Sequence, residues 1–99
     1  MNFYIAIDHK VGHKPSWTYI KITPWRNQKL TVREARNWFL RNQKNYDAVW
    51  CAHIMKRTKK DTYKDIETVY ADGITYESNG PVDWITDYDF TETNTFTAE

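Results

Sequence analysis

The sequence predicts a small α+β domain in which one amphipathic helix packs on one face of a single antiparallel sheet of five to six strands. Three observations support this fold class. The chain has 99 residues, of which 40% are hydrophobic and 16% aromatic, enough for one domain with its own core. One segment has helical periodicity, and several short segments alternate apolar and polar residues as strands do. Tight turn sequences between the later segments indicate an antiparallel meander, in the order β-β-α-β-β-β-β.

The first two strands are predicted at residues 2–8 and 17–23, because apolar side chains occupy alternate positions in both. Pro24 ends the second strand, since proline cannot donate to a sheet ladder. A glycine and a proline mark residues 9–16 as the loop between them.

The helix is predicted at residues 31–44. Thr31 and Glu34 have the spacing of a capping box, in which the hydroxyl and the carboxylate satisfy two free backbone N–H groups at the helix start. Most apolar residues of this segment fall on one arc, which predicts that the helix packs against the sheet. Leu40 lies instead among the basic residues on the opposite side.

Residues 48–57 are apolar at both odd and even positions, which predicts a central strand covered on both faces, with Trp50 in the core. Turn sequences then separate three further predicted strands, at 63–71, 74–77 and 82–90. The Thr-rich end, residues 91–99, is predicted to be a flexible tail, so that the domain comprises residues 1–90.

Charge is divided by position along the chain. Residues 1–60 hold 13 of the 14 Lys and Arg residues but only three of the 13 Asp and Glu residues, so the formal net charge of +1 hides a strongly dipolar sequence. Such asymmetry indicates a polyanionic partner, with the acidic part as a counter-surface.

Several classes of protein are disfavoured. No glycine-rich phosphate loop or dinucleotide motif occurs, and no cofactor is expected. Cys51 and His53 share a face of one strand, but side chains two residues apart lie ~6–7 Å from each other, so we expect packing rather than catalysis. A single cysteine permits no internal disulfide. Without a leader-like start or an apolar run of about 20 residues, the expectation is a cytoplasmic protein that does not enter a membrane.

One constellation could hold a metal ion. Asp8, His9 and His13 lie together where the first strand enters its loop, and a small metal-assisted hydrolase is therefore a third hypothesis. No further ligand lies nearby to complete a tetrahedral site, so a solvated polar loop is the preferred interpretation, and no metal is predicted.

The leading hypothesis is a non-enzymatic binding protein that acts on nucleic acid or on a nucleic-acid-handling complex. Basic residues gather around the helix and at the tip of the following hairpin, where they suit phosphate groups. The candidates are Arg26, Lys29, Arg33, Arg36, Arg41, Lys56, Arg57, Lys59 and Lys60. The alternative is that these side chains only keep an ordinary surface in solution.

A second hypothesis is a protein-binding inhibitor or adaptor, for example one acting against a host defence, which uses aromatic and acidic surface. Its candidate residues are Trp25, Leu40, Tyr76, Asp83, Asp87 and Asp89. An exposed sheet edge could also form a homodimer. The frequency of Asn, Thr, Lys and Trp in a short chain resembles small accessory proteins of phages and plasmids, although no motif assigns a family.

Overall fold

The computed structural model describes residues 3–23, 27–59, 62–78, 80–82 and 90–97. The described chain forms one sheet and one α-helix, with a short 3-10 turn after the helix. The strands are β1 (Phe3–Val11), β2 (Lys14–Thr23), β3 (Asp47–Lys59), β4 (Thr62–Tyr70), β5 (Thr75–Glu77), β6 (Pro81–Val82) and β7 (Phe90–Thr97). The helix α1 (Gln28–Asn42) and the 3-10 turn Gln43–Asn45 lie between β2 and β3.

The strands are ordered β5-β4-β3-β1-β2-β7, and β6 also pairs with β4. This arrangement confirms the predicted α+β fold, with one helix and a sheet that is antiparallel from β5 to β2. The edge strand β7 pairs in parallel with β2. Residues 91–99 were predicted to form a flexible tail outside the sheet, whereas residues 91–97 belong to this strand. Of the strand predicted at 82–90, residues 83–89 lie outside the described part of the chain.

The first hairpin is tighter than the sequence indicated. Residues 9–16 were expected to form a loop, but β1 and β2 stay paired as far as Val11 and Lys14. Only two residues form the turn, and Gly12 adopts a φ of +65°, a conformation that glycine accepts without steric cost. The side chains along this part of both strands are mostly polar, so hydrophobic alternation could not reveal that these residues pair.

The helix begins one turn earlier than predicted. Asn27 is its N-cap, and its Oδ1 accepts a hydrogen bond of 2.9 Å from the Leu30 N–H. Thr31 therefore lies inside the first turn, where its hydroxyl donates to the Asn27 carbonyl at 2.8 Å, and the predicted capping box is wrong. Asparagine caps as well as threonine, so residue type alone could not choose between them.

Buried residues lie on both faces of the sheet. The helix face is the side covered by α1, and its largest cluster joins the alternate isoleucines of β1 and β2 to Phe39 of α1. The open face is the opposite side. Its buried cluster consists of Tyr4, Ala6, Tyr19, Met55, Tyr63 and Val82. Strand β3 contributes to both clusters, as predicted for a central strand.

The prediction that Trp50 is in the core is wrong, because 63% of its surface is exposed. The alternation fails at the start of β3. Ala48 has a φ of +49°, and the pairing with β1 slips between Asp8 and Lys10. A residue in this left-handed conformation bends the strand locally, so the face on which Trp50 lies does not follow from the alternation further along β3.

Within the described residues, no helix is both long enough and apolar enough to span a bilayer.

Candidate functional site

The outward side of α1 carries exposed positive charge. Lys29, Arg33 and Arg41 on α1 and Lys44 in the following turn are all exposed, and we call these four residues the basic helix surface. At 100° per residue they lie within one arc of the helix, opposite the side that packs on the sheet. The only carboxylate of α1 belongs to Glu34, which lies 3.3 Å from Arg33. The basic helix surface therefore keeps an excess of positive charge.

Arg36 belongs to the same basic arc but is committed to an ion pair. Its Nε and Nη2 donate to the two carboxylate oxygens of Glu67 on β4, at 2.9 and 3.1 Å. Glu67 is only 6% exposed, so its charge depends on this two-point contact. Arg36 was predicted to bind an external anion, whereas the structure uses it to hold the helix on the sheet. The two residues are 31 positions apart, and nothing local in the sequence pairs them.

Lys56 and Lys64 of the β3–β4 hairpin extend this surface toward the start of the helix, whereas Arg57 pairs with Tyr63 of the open-face cluster and so lies on the other face of the sheet. Lys56 Nζ donates to the Gln28 side chain at 3.1 Å, and Lys56 lies directly opposite Lys64 in the sheet. Arg57 is half-buried on the next position of β3. Lys59 is the last residue of β3, and Arg26 and Lys60 lie outside the described residues.

Three aromatic rings form a second feature on the open face. Trp50 contacts Tyr70 edge to face at 5.8 Å between ring centroids, and Tyr70 contacts Tyr76 in the same way at 5.6 Å. We call Trp50, Tyr70 and Tyr76 the aromatic ladder. Tyr76 is 60% exposed, and the ladder borders a groove of about 470 Å³ that also includes the exposed Ile74. Exposed aromatic surface of this kind marks binding sites more often than chance placement does.

Only one other predicted protein-binding residue lies in the described part of the chain. Leu40 is partly buried and packs against the core of the helix face. It is therefore not the exposed anchor that the helical pattern suggested. Trp25, Asp83, Asp87 and Asp89 lie outside the described residues.

A polar cluster lies beside the ladder on the open face. His53 Nδ1 lies 3.1 Å from Asp65 Oδ2 and 3.0 Å from the Thr68 hydroxyl, and its Nε2 lies 3.8 Å from Cys51 Sγ. The expectation that Cys51 and His53 are out of reach is therefore wrong. Their Cα atoms have the usual separation along a strand, but the long imidazole leans back over the thiol.

The charge state of His53 follows from these contacts. Burial lowers the pKa of His53, but the hydrogen bonds and negative charge supplied by Asp65 and Cys51 outweigh burial and raise this pKa to about 9. The imidazole is thus positively charged at neutral pH and forms an ion pair with Asp65. Cys51 is only 2% exposed, so its thiol lies behind the polar cluster rather than at the surface where a nucleophile would meet a substrate.

A cavity of about 450 Å³ opens above this cluster. Among the described residues its lining includes Asp8, Trp17, Trp50, His53 and Asp65. The Trp17 ring lies 5.8 Å from the His53 ring and 39% of its surface is exposed. Asp65 Oδ1 is buried and accepts no hydrogen bond from the described residues. The cavity thus combines indole rings with the carboxylate of Asp8, which is only partly buried.

The three candidate metal ligands do not converge. Asp8 faces the cavity on the open face, whereas His9 is buried on the helix face, where its Nε2 lies 2.6 Å from the Thr18 hydroxyl. His13 lies in the exposed hairpin turn. Neighbouring residues of a strand point to opposite faces, and this separates Asp8 from His9. Across the described chain, no group of three or more His, Cys, Asp and Glu side chains is arranged to hold a metal ion.

Part of the His53 cluster could have been predicted from the register of β3 and β4, which hydrophobic alternation does not report. Lys59 pairs with Thr62 at the end of β3 and the start of β4, and the same register places His53 opposite Thr68. The bulge near Met55 then brings Asp65 to the same side. Cross-strand pairing would therefore have predicted the contact of His53 with Thr68 but not its contact with Asp65.

Comparison of the chain with protein-family models, with curated proteins and with solved structures gave no match.

Proposed function

We propose that this chain is a non-enzymatic protein that binds nucleic acid through the basic helix surface. One observation carries the proposal. The basic helix surface has three cations on α1 and a fourth in the turn that follows, whereas α1 carries a single carboxylate, that of Glu34. Clustered exposed cations are the usual electrostatic footprint of a protein that contacts phosphates.

The dimensions of the stripe fit a nucleic-acid backbone. A helix of 15 residues is about 22 Å long at 1.5 Å per residue. A strand of duplex DNA presents one phosphate per ~3.4 Å along the axis, so about six phosphates fall within that length. Four cations can thus each meet a different phosphate without a change in the fold.

The hairpin cations Lys56 and Lys64 would enlarge the contact near the start of α1. Lys56 already lies within 3.1 Å of Gln28, so a phosphate that reaches the first turn of the helix also comes near this lysine. The free backbone N–H groups of that turn add to the attraction for an anion. Arg36 contributes by orienting the helix, through Glu67, rather than by contacting phosphate.

The decisive test compares two variants that remove equal charge from different surfaces. In the first, Lys29, Arg33 and Arg41 are replaced by Gln. In the second, the matched control, the exposed residues Lys10, Lys14 and Lys21 of the first hairpin are replaced by Gln. Binding to labelled single-stranded and duplex oligonucleotides is measured by fluorescence anisotropy from 50 to 300 mM salt.

We expect the helix variant to bind at least about ten-fold more weakly and to lose about two to three units of salt slope, because each phosphate contact contributes ~0.7–0.9. The control variant should lose much less. Equal losses in both variants would mean unspecific attraction by net charge. Wild-type binding that does not change with salt, or no binding at all, would reject the proposal.

A second candidate function rests on a separate observation. The aromatic ladder exposes Trp50 and Tyr76 beside Ile74, and such rings are typical anchors of protein–protein interfaces. This supports the inhibitor or adaptor hypothesis. A variant with Trp50→Ser and Tyr76→Ser should lose a partner captured from a host lysate. Val11→Ser, at an equally exposed apolar site on the first hairpin, should retain it. Retention of the partner by the ladder variant would reject this candidate.

A further inference from the structure

The cavity on the open face has a charge and lining that none of the functions above uses. It lies on the side of the sheet opposite the basic helix surface, and its described lining brings together residues from β1, β2, β3 and β4. Its volume of about 450 Å³ is within the range of small-molecule sites. Two of its walls are tryptophan rings, from Trp17 and Trp50.

The charges at the cavity favour a cation. His53 and Asp65 form an ion pair and offset each other. The Asp8 side chain takes part in no hydrogen bond or ion pair with the described residues, so its carboxylate leaves the described lining with a net negative charge. Negative charge beside the faces of indole rings attracts organic cations through ionic and cation–π interactions. A nucleotide or another phosphate compound would be repelled by the same carboxylate.

The unused hydrogen-bond capacity narrows the class of cation. The Asp8 carboxylate lines the cavity, is partly buried and accepts no hydrogen bond from the described residues. A partly buried acceptor without a donor is unfavourable, and a ligand that brings N–H groups relieves that cost. Guanidinium and primary ammonium groups carry both the positive charge and the donors, whereas quaternary ammonium groups carry only the charge.

We propose that this cavity binds an N–H-donating organic cation, a guanidinium or primary ammonium group, with Asp8 as its counter-ion and Trp17 and Trp50 as its walls. The cation can be a free amine or the end of an arginine or lysine side chain from a partner. The proposal is independent of nucleic-acid binding, which uses the other face of the molecule.

The test follows the indole N–H signals in ¹H–¹⁵N spectra while small probes are added. Methylguanidinium and n-butylammonium are compared with 1-butanol, a neutral molecule of similar size, and with tetramethylammonium. Trp38 on α1 serves as the internal reference, because it packs against the helix-face core and is remote from the cavity. Single Trp→Phe variants assign the signals.

We expect the two N–H-donating cations to shift the signals of Trp17 and Trp50 but not of Trp38. They should bind at least about ten-fold more tightly than 1-butanol and more tightly than tetramethylammonium. Equal binding of 1-butanol, equal shifts at Trp38, or no shifts at all would overturn the proposal.

A pair of variants tests the counter-ion. Asp8→Asn should weaken binding of methylguanidinium about three- to ten-fold. Asp72→Asn, an exposed position that does not line this cavity, should leave the affinity unchanged. Equal affinity in wild type and Asp8→Asn would remove the assigned role of Asp8, and the comparison with 1-butanol remains decisive if the variant folds poorly.

N-acetyl-arginine methylamide and N-acetyl-lysine methylamide distinguish the two sources of the cation. Tighter binding of these compounds than of spermidine would indicate a side chain from a protein partner. Tighter binding of spermidine would indicate a free amine. Either result supports the proposal, and failure of all three to bind contradicts it.

Discussion

The two faces of the sheet are formed by the same strands but differ in what covers them and in the groups they expose. On the helix face, α1 covers an apolar core, and the buried carboxylate of Glu67 is paired with Arg36 through both of its oxygens. On the open face, a charged cluster around His53 lies beside exposed aromatic rings. We infer that the stability of this fold comes mainly from the covered face, whereas the open face retains groups suited to binding.

The largest expected effect tests this division directly. Phe39 is fully buried under α1, so Phe39→Ala should reduce the free energy of unfolding by about 3–5 kcal/mol. Trp50→Ala removes a larger ring but should cost no more than about 1–2 kcal/mol, because most of that ring is already in water. Urea denaturation of both variants measures the difference. Equal losses would show that the open face contributes as much to stability as the core does.

The Arg36–Glu67 pair offers the next largest effect, and its asymmetry is the informative part. Arg36→Ala leaves the buried Glu67 carboxylate without its partner and should cost about 2–4 kcal/mol. Glu67→Ala leaves Arg36, which reaches solvent, and should cost less. A double-mutant cycle monitored by urea denaturation gives the coupling energy. A larger loss in Glu67→Ala would contradict the idea that the carboxylate is the member most dependent on the pair.

The His53–Asp65 pair should make stability depend on pH. Because the pKa of His53 in the folded protein, about 9, lies above the ordinary 6.5, the stabilisation is complete below pH 6.5 and is lost as pH rises through 9. We expect a loss on the order of 1–3 kcal/mol, since partial exposure screens the pair.

Thermal or urea unfolding between pH 6 and 10 measures this loss. Asp65→Asn should flatten the pH dependence, whereas Cys51→Ala should keep most of it, because Asp65 supplies the stronger contacts. An unchanged pH profile in Asp65→Asn would show that another group titrates.

The smallest changes in the free energy of unfolding are expected on the basic helix surface, where stability and nucleic-acid binding should respond differently to the same substitution. Lys29 lies in the first turn of α1, which has no acidic residue, so its charge opposes the helix dipole there. Lys29→Glu should therefore stabilise the protein by about 0.3–1 kcal/mol. Arg41→Glu, in the last turn, should destabilise it by a similar amount. Both variants should bind nucleic acid more weakly. If Lys29→Glu strengthened binding while it stabilised the protein, Lys29 would not belong to the binding surface.

Local pattern was sufficient for the elements whose side chains alternate without interruption. The isoleucines of β1 and β2 indicated one buried face, and the arc through Val32, Ala35 and Phe39 indicated the buried side of the helix. The predicted fold class and element order are confirmed for this reason. Pattern failed where the backbone departs from regular geometry, as at Ala48, whose positive φ left Trp50 on the surface.

The candidate surfaces were predicted less completely. Clustering of basic residues near the helix was visible in the sequence, and four of these side chains are exposed on one arc. No local pattern indicates that Arg36 pairs with Glu67, or that His53 contacts Asp65, because these partners are 31 and 12 residues apart. Such contacts depend on strand register and on a bulge, which hydrophobic periodicity does not report.

The apolar positions, the places where turns can form and the distribution of charge along the chain are local properties of residue type and spacing, so they follow directly from the amino-acid sequence. The tertiary structure decided which charges remain available and which are paired. It also decided that Asp8 and Asp65 share a cavity with Trp17 and Trp50. The physical reason is that ion pairs and cavities depend on distances across the sheet, and those distances exist only once the strands have been aligned.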